Sequence, residues 1–320
     1  MAFPILPRGL IVDLITPLNT DGSIDGRGLG RLLDRVSPYA QALLLASPRT
    51  GEGKNLSSRH RSELLEKTLV VVRQRPIPVL MWSSGDTEEA TRHTLFEMRR
   101  VLKKLNYGST VYWVDSPLYY HSNRGLSSYY HDICSDVREA FILHNDPELI
   151  KDISRPFKRS NIRTAILKEL MAAENIMGLI FSGSLDRAGN YQKACHGRKE
   201  FRIYDGDETA FLEHPSMSGV VSAGANLAPK AWQKVTESSI MTAGDRKNSP
   251  DYLQQLWEVG IYLRNLKDIY ETMPVVIIKE VLYDMGIIET PACTVQSQDV
   301  AESKRHIREL MTHYGDYPGN

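Results

Sequence analysis

The alternation of short apolar segments with longer amphipathic ones, repeated eight times along the chain, limits the fold more than any other feature of the sequence. Each apolar segment is nearly continuous, as expected for parallel strands that are covered on both faces. Each is followed by turn or capping residues and then by a helical spacing of apolar residues. The strands are predicted at residues 9–15, 42–47, 78–84, 109–115, 139–145, 176–183, 201–207 and 219–226. Eight strand–helix units in about 240 residues predict an α/β chain folded as a (β/α)8 barrel, the TIM barrel.

A doubly wound open sheet gives the same alternation and is the alternative architecture. The first predicted strand is not followed by a Gly-x-Gly-x-x-Gly loop or a phosphate-binding Gly-Lys-Ser/Thr loop, which weakens this alternative. Residues 250–320 lack strand patterns of comparable quality and contain three helical patterns instead. We therefore predict a barrel over residues 1–245 and a C-terminal helical extension over residues 246–320 that packs on it.

Charge and cysteine usage exclude several classes of partner. Lys plus Arg and Asp plus Glu both number 39, so the formal net charge is zero. Without a long basic run, we expect no nucleic acid and no membrane surface as a partner. The short N-terminal apolar stretch contains two prolines and an arginine and does not match a secretory signal. The three cysteines are scattered and form no CxxC pair, which favours reduced thiols in a cytoplasmic protein.

Short motifs follow the predicted strands in a fixed order. They are Thr16-Pro17, Asp21–Asp25, Thr50-Gly51-Glu52, Pro117–Tyr120, Gly206-Asp207-Glu208, Gly219–Ser222, Ala225-Asn226 and, in the C-terminal helices, Pro274, Lys279 and Gly286. In order and spacing, over roughly residues 8–315, the chain resembles the N-acetylneuraminate lyase / dihydrodipicolinate synthase family of class I aldolases and lyases. The resemblance implies the barrel fold, a small carboxylate or 2-oxo acid-like ligand, and a homodimer or homotetramer.

The chemistry that this resemblance implies depends on a small set of groups. A lysine at the end of the sixth strand attacks the ketone of a 2-oxo acid such as pyruvate, and the resulting iminium accepts the electron pair of a breaking carbon–carbon bond. A tyrosine at the end of the fifth strand moves protons. A Gly-Thr-Thr-Gly-Glu loop after the second strand holds the substrate carboxylate, and a further tyrosine follows the fourth strand.

The carboxylate loop of the family is partly present in this chain. Thr50, Gly51 and Glu52 match the last three residues of the family's loop. Pro48 replaces its first glycine and Arg49 replaces its first threonine. An arginine at this place could bind a carboxylate with two hydrogen bonds, or it could brace the loop at the surface.

The two groups that perform the family's covalent chemistry are replaced. The fifth-strand pattern Tyr-Asn-x-Pro is present as residues 144–147, so the tyrosine is His144, and the arginine of the synthase branch falls on Leu149. The sixth-strand pattern Gly-Ile-Lys is present as residues 178–180, so the reactive lysine is Ile180. An isoleucine side chain cannot form an imine, and loss of a covalent nucleophile costs many powers of ten in rate.

A lysine from another element is the one route by which imine chemistry could be restored. Residues 175–184 contain no lysine. Lys168 and Lys193 fall on predicted helices, and Lys199 precedes the seventh strand, at the end of the barrel opposite to the usual active site.

The predicted site includes residues that match the family's motifs and residues that replace them. His144 is the predicted acid or base, because imidazole titrates near neutral pH, although it could also be a polar residue of a disused pocket. Tyr119 and Tyr120 are predicted hydrogen-bond donors, with core packing as the alternative. The predicted ligand-binding residues are Arg49, Thr50, Gly51, Gly206 and Val221.

No metal and no cofactor are predicted. Several acidic residues and one histidine follow the strands, but no HxH or HExxH spacing accompanies them. They are Asp115, His121, Asp205, Asp207 and Glu208. Asp207-Glu208 is predicted to cap the helix after the seventh strand instead.

Two functions remain open from the sequence. In the first, the chain is a divergent lyase that acts on a small carboxylated or carbonyl compound without a lysine imine. In the second, it is a non-catalytic relative that binds a small acid or a partner protein.

Overall fold

Eight parallel strands close into a barrel in chain order, with the first strand paired to the eighth. The computed structural model describes residues 5–75, 77–108, 110–137, 139–151, 153, 159–240, 250–295 and 299–317. The strands are β1 (Gly9–Asp13), β2 (Ala42–Leu45), β3 (Val79–Trp82), β4 (Val111–Asp115), β5 (Ala140–Asn145), β6 (Ile176–Phe181), β7 (Arg202–Asp205) and β8 (Gly219–Ser222). Each lies inside its predicted segment, so the (β/α)8 barrel is confirmed and the open sheet is excluded.

Helices follow the strands and cover the outside of the barrel. They are α1 (Gly26–Val36), α2 (Ser58–Val72), α3 (Glu88–Leu105), α4 (Pro117–Tyr120), α5 (Leu126–Asp136), α6 (Pro147–Lys151), α7 (Thr164–Leu170), α8 (Leu185–Cys195), α9 (Glu208–Glu213), α10 (Pro229–Ile240), α11 (Pro250–Tyr270), α12 (Pro274–Asp284) and α13 (Ala301–Tyr314). Side-chain caps fix several starts: Ser57 caps α2, Thr87 caps α3 and Asp207 caps α9, the last accepting from the Ala210 amide at 2.8 Å.

The strands are shorter than their apolar segments because the chain turns as soon as it leaves the sheet. Ala46, directly after β2, has a φ of 49°, which no strand residue adopts. Residues 224–226 after β8 form a 3-10 turn. The apolar residues of the predicted segments that lie beyond the ends of these strands are therefore buried in loops at the C-terminal end of the barrel.

Alternation along the strands divides the core into two layers. One side of each strand faces the helices, and the other side fills the barrel interior. The interior cluster consists of Leu6, Ile11, Ala42, Leu44, Leu80, Trp82, Tyr112, Val114, Ala140, Ile142, Met177, Ile180, Tyr204 and Val221. Residues two positions further along β1, β4 and β5 therefore lie at the C-terminal mouth of the barrel.

Of the C-terminal helices, α11 packs on the barrel helices α9 and α10, and α12 and α13 pack on α11 and on each other. Lys279 of α12 makes an ion pair with Glu52 of the loop after β2, so the extension is tied to the mouth. The predicted division at residues 245/246 lies outside the described residues and stays a prediction. None of the described helices is both long enough and apolar enough to cross a bilayer.

Candidate active site

His144 and Ile180, the two replaced positions, are direct neighbours in the barrel wall. Their Cα atoms are register partners between β5 and β6, and Ile180 is in turn the partner of Tyr204 on β7. The sequence mapping therefore placed both residues on the same part of the sheet.

The Ile180 side chain belongs to the apolar filling of the barrel and is 1% exposed. A Cβ atom at Gly206 would lie 3.0 Å from Ile180 Cγ2 and 2.3 Å from Ser182 Oγ. Gly206 thus allows the end of β7 to pack closely against β6. This is a steric role, and it leaves the predicted ligand contact of Gly206 as a prediction.

No lysine of the described chain takes the place of the lost amine. Lys168, Lys193 and Lys199 are exposed. The buried lysine is Lys279, whose Nζ donates to Glu52 Oε2 and to the Ala292 carbonyl at 2.7 Å. The Lys279 amine is therefore bound to the loop after β2 and is not part of the barrel interior.

His144 is held by a chain of hydrogen bonds at the mouth. Trp82 Nε1 donates to Ser116 Oγ at 2.9 Å, and Ser116 Oγ lies 2.8 Å from His144 Nδ1. Trp82 Nε1 can only donate, so the Ser116 hydroxyl proton is free to point at Nδ1, the other partner of Oγ. The tautomer that satisfies all three groups therefore has an unprotonated Nδ1 and its ring proton on Nε2. Nε2 has no hydrogen-bond partner among the residues that the structure describes, and His144 keeps part of its surface exposed.

The electrostatic surroundings keep the His144 ring neutral. Desolvation lowers the pKa of His144 below 6.5, the nearby Asp146 carboxylate opposes this shift, and Arg49 reinforces it. A neutral imidazole whose Nε2 carries the proton is a hydrogen-bond donor toward anything bound in the mouth.

Arg49 crosses from the loop after β2 to the loop after β5. Its Nε lies 3.4 Å from Asp146 Oδ2, and its side chain is 48% exposed. Asp146 is fixed because its Oδ1 accepts from the amides of Glu148 and Leu149 at the start of α6. The predicted anion-binding arginine is therefore at the mouth, but in this structure it is paired with a carboxylate.

Thr50 and Gly51 are both buried in the loop after β2. The Gly51 amide donates to Ser47 Oγ at 2.8 Å, and its carbonyl accepts from Thr16 Oγ1 at 2.7 Å. A Cβ atom at Gly51 would lie 2.4 Å from the Ser47 nitrogen, so glycine is required here. The loop is folded back on the end of β1.

Two residues with left-handed backbone bracket this loop. Ala46 has a φ of 49° and Glu52 a φ of 58°. Such conformations cost energy and persist where the surroundings fix them, often at functional sites. Here the fixing contacts are those of Glu52, which binds Lys279 and accepts from the Thr294 amide at 2.6 Å.

Asp13 is a site residue that the sequence analysis missed. It ends β1 two positions after Ile11 of the interior cluster, and its Cα pairs with that of Leu44, another interior residue. Its Oδ1 is buried without a hydrogen-bond partner among the described residues. Burial raises the pKa of Asp13 to about 7, although the nearby hydroxyls of Ser47 and Thr50 offset part of this shift. The sequence did contain a sign of this role, because Asp13 is the single acidic residue in the apolar segment GLIVDLI.

Glu208 is a second buried carboxyl group on the same side of the mouth, and its charge adds to the rise in the pKa of Asp13. In contrast to Asp13, it has many donors. Its Oε1 accepts from Ser222 Oγ at 2.5 Å and from the Gly224 amide at 2.8 Å, and its Oε2 accepts from Tyr270 OH at 2.5 Å. Glu208 thus fastens α11 to β8 and does not cap α9, a role that belongs to Asp207 alone.

The two predicted tyrosines have different surroundings. Tyr119 packs edge-on against Trp82 with ring centroids 6.2 Å apart, next to the His144 network. Tyr120 is buried and donates to Asp115 Oδ2 at 2.7 Å. Asp115 alternates with Val114 of the interior cluster, so this hydroxyl points into the layer between barrel and helices, and the structure does not bring Tyr120 to the mouth.

The other predicted ligand-binding residue, Val221, contributes packing, and the candidate metal ligand Asp115 is bound by protein groups. Val221 belongs to the interior cluster with Ile180. Asp115 also accepts from Ser84 and Tyr130, so hydroxyl groups satisfy it. Within the described ranges, no three His, Cys, Asp or Glu side chains lie close enough together to hold a metal ion.

Comparison with known proteins gives a consistent result. A family model described as the dihydrodipicolinate synthetase family matches residues 6–312. A 4-hydroxy-tetrahydrodipicolinate synthase of Shewanella sp. (strain ANA-3) is 27% identical over 240 residues, which cover 73% of this chain and 75% of the relative.

Solved structures share the fold at lower identity. Dihydrodipicolinate synthase from Aquifex aeolicus superposes with a TM-score of 0.76 at 22% identity, covering 98% of this chain and all of that one. YagE, a prophage protein of the dihydrodipicolinic acid synthase family from E. coli K12 in complex with pyruvate, superposes with a TM-score of 0.77 at 18% identity, covering 96% and 98%.

Proposed function

We propose that this chain, which belongs to the dihydrodipicolinate synthetase family, is a divergent lyase that binds a small carboxylated carbonyl compound at the C-terminal mouth of its barrel and acts on it without a lysine imine. The observation that carries this proposal is the Trp82–Ser116–His144 network beside Ile180. It presents a neutral N–H donor next to the wall position at which the family forms its imine.

A hydrogen-bonded oxygen can take over the role of the iminium. In cleavage of a 4-hydroxy-2-oxo acid, a base takes the hydroxyl proton, the C3–C4 electron pair moves to C2–C3, and the carbonyl pair moves to oxygen. The products are an aldehyde and an enolate, which takes one proton at C3 and becomes a 2-oxo acid. A donor aimed at the developing oxyanion in a site that excludes water is worth roughly 10²–10³ in rate. We assign this donor to His144 Nε2.

The ligand carboxylate is assigned to Arg49 and Thr50, while Gly51, whose amide already donates to Ser47 Oγ, shapes the loop that carries them. Binding would require Arg49 to exchange Asp146 for the ligand, because the two are paired at 3.4 Å in this structure. Tyr119 is the second hydrogen-bond donor, whereas Tyr120 is assigned to the support of Asp115. No cofactor is part of the proposal, and a homodimer or homotetramer stays the expected assembly.

A non-catalytic binding protein is the second candidate. The apolar environment of Ile180 and the neutralised Arg49 support it, because both features would also fit a site that holds a ligand without reacting. The two candidates differ in whether the bound compound is turned over.

Pyruvate is the first probe, since two of the similar solved structures contain it. We expect calorimetry to detect pyruvate binding that His144→Gln weakens and that His306→Gln, on the exposed face of α13, leaves unchanged. After treatment with pyruvate and borohydride, intact-mass measurement should show no adduct. A stable pyruvyl adduct would refute the imine-free proposal. Binding without turnover of a panel of 4-hydroxy-2-oxo acids would favour the second candidate.

A further inference from the structure

Asp13 lies at the mouth with one of its two carboxyl oxygens, Oδ1, without a hydrogen-bond partner among the described residues. Asp115, Glu208 and Glu52 have donors on both carboxyl oxygens: Asp115 accepts three hydroxyl groups, Glu208 accepts two hydroxyl groups and an amide, and Glu52 accepts Lys279 and an amide. Asp13 has the hydroxyl groups of Ser47 and Thr50 beside it, but they leave one oxygen unpaired. Asp13 Oδ1 is buried and accepts from no described residue. A buried oxygen with an unused lone pair is costly to keep, and a catalytic role is one of the explanations for such a group in a native protein.

The position of Asp13 fits a group that meets a ligand. It belongs to β1, and His144 belongs to β5, so three strands lie between them in either direction and they face each other across the eight-stranded barrel. Both lie two residues beyond a member of the interior cluster, Ile11 and Ile142 respectively. A compound that sits on the floor formed by this cluster therefore lies between them.

We infer that Asp13 is the catalytic base of this site, which takes a proton from the bound compound and returns it. This inference rests on the proposed function, because it supplies the base that the cleavage step requires. In the simplest case, the Asp13 carboxylate takes a proton from C3 of a 2-oxo acid, the C–H electron pair forms the C2–C3 double bond, and the carbonyl pair moves to the oxygen that His144 Nε2 holds. Reversal of the step returns a proton to C3.

The charged groups around Asp13 are consistent with this role. The Glu208 charge favours the protonated form of Asp13, while Glu208 itself faces Lys267 and Tyr270 of α11. Arg49 and Glu52, on the loop against β1, are paired with Asp146 and Lys279. A base works best when its pKa lies near the working pH, and the pKa of about 7 at Asp13 meets this condition.

The test uses exchange of the pyruvate methyl protons in D2O, followed by proton NMR with the full-length protein. Wild type should accelerate exchange over buffer, with a rate that rises with pH and levels off above about 7. Asp13→Asn keeps the shape of the side chain but cannot accept a proton, and should lower the rate by about 10²–10⁴ while pyruvate still binds. His144→Gln should lower the rate but keep the inflection near pH 7.

Asp205→Asn is the matched control. Asp205 also ends a strand and its pKa is also raised, to about 6, but it alternates with the interior residue Tyr204 and accepts from the Ser216 amide at 2.8 Å. This variant should keep both the exchange rate and the pH inflection of wild type.

The outcomes separate this inference from the proposed function. If wild type binds pyruvate and exchanges its protons, and Asp13→Asn does both equally well, the role of Asp13 is refuted and the proposed function stands. If wild type binds pyruvate without accelerating exchange, the role of Asp13 is likewise refuted. If pyruvate binds to none of the proteins, the proposed ligand class and the inference fail together.

Discussion

The substitution Lys279→Met tests how the mouth is held in place. Lys279 and Glu52 form an ion pair whose side chains are 0% and 1% exposed. The pair joins α12 to the loop after β2, and Lys279 and Glu52 also bind Ala292 and Thr294 in the segment after α12. Methionine has a similar length and no charge, so the substitution removes the cation while keeping most of the packing.

The expected cost follows from the charge that is left behind. Removing one partner of a buried ion pair costs about 3–5 kcal/mol, because the other charge stays buried without compensation. For a domain of this size, about 2 °C of melting temperature is lost per kcal/mol, so we expect a decrease of roughly 6–10 °C. The double variant Glu52→Gln/Lys279→Met should recover most of this loss, since neither charge remains.

Thermal unfolding by calorimetry, supported by urea unfolding, measures these differences. Lys104→Met is the control, because Lys104 pairs with Glu66 on the surface, where such pairs contribute less than about 1 kcal/mol. The reasoning is refuted if Lys279→Met melts within 2 °C of wild type, a limit of about 1 kcal/mol, or if the double variant is less stable than the single one. Because Glu52 has a left-handed backbone that these contacts hold, Lys279→Met should also weaken pyruvate binding.

Three further outcomes are expected. Tyr120→Phe removes a donor to Asp115 and should lower the free energy of unfolding by about 1–2 kcal/mol in a urea titration, with unchanged pyruvate affinity. Asp13→Asn should have nearly the same free energy of unfolding as wild type near pH 4 and exceed it at pH 8 by on the order of 4 kcal/mol. The reason is that folded wild type holds the Asp13 proton more tightly than the unfolded chain does. The stability that the wild-type protein has below the unfolded pKa of 3.8 is therefore lost as the pH rises to about 7. Equal urea midpoints of variant and wild type at both pH values would contradict this. Ile180→Lys should place an amine beside His144. After treatment with pyruvate and borohydride, mass spectrometry should then show a pyruvate adduct that wild type lacks. Absence of this adduct would argue that residue 180 does not correspond to the family's reactive lysine.

The sequence predicted the barrel well because the signal for it is local. Near-continuous apolar strands and capped helices depend on neighbours in the chain, and each of the eight strands appeared within its segment. The ends of the strands were less predictable. For example, β2 ends because the backbone turns into the left-handed conformation at Ala46. Tertiary contacts of Glu52 help to fix this turn.

The site was predicted in part because its contacts join distant segments. The neighbouring positions of His144 and Ile180 followed from the family pattern, but the Arg49–Asp146 pair could not be seen in either segment alone. Sequence also could not separate Tyr119 from Tyr120, because the difference arises from Asp115, which needs donors and takes the hydroxyl of Tyr120. Asp13 was detectable, since a charged residue in register with interior positions of a parallel strand is unusual.

One physical cause connects the lost lysine to the two titratable groups that remain. Ile180 places a buried apolar side chain of the barrel interior where the family carries its lysine. Desolvation opposes charge on any group, so it lowers the pKa of the His144 imidazole and raises that of the Asp13 carboxyl. The usual order of the two is thereby inverted, and the carboxyl keeps its proton to a higher pH than the ring does. A neutral imidazole then serves as a donor across the neutral range, and the activity of the site should follow a single ascending titration, that of Asp13. A second inflection below pH 6.5 that disappears in His144→Gln would show that the ring titrates during catalysis and would contradict this argument.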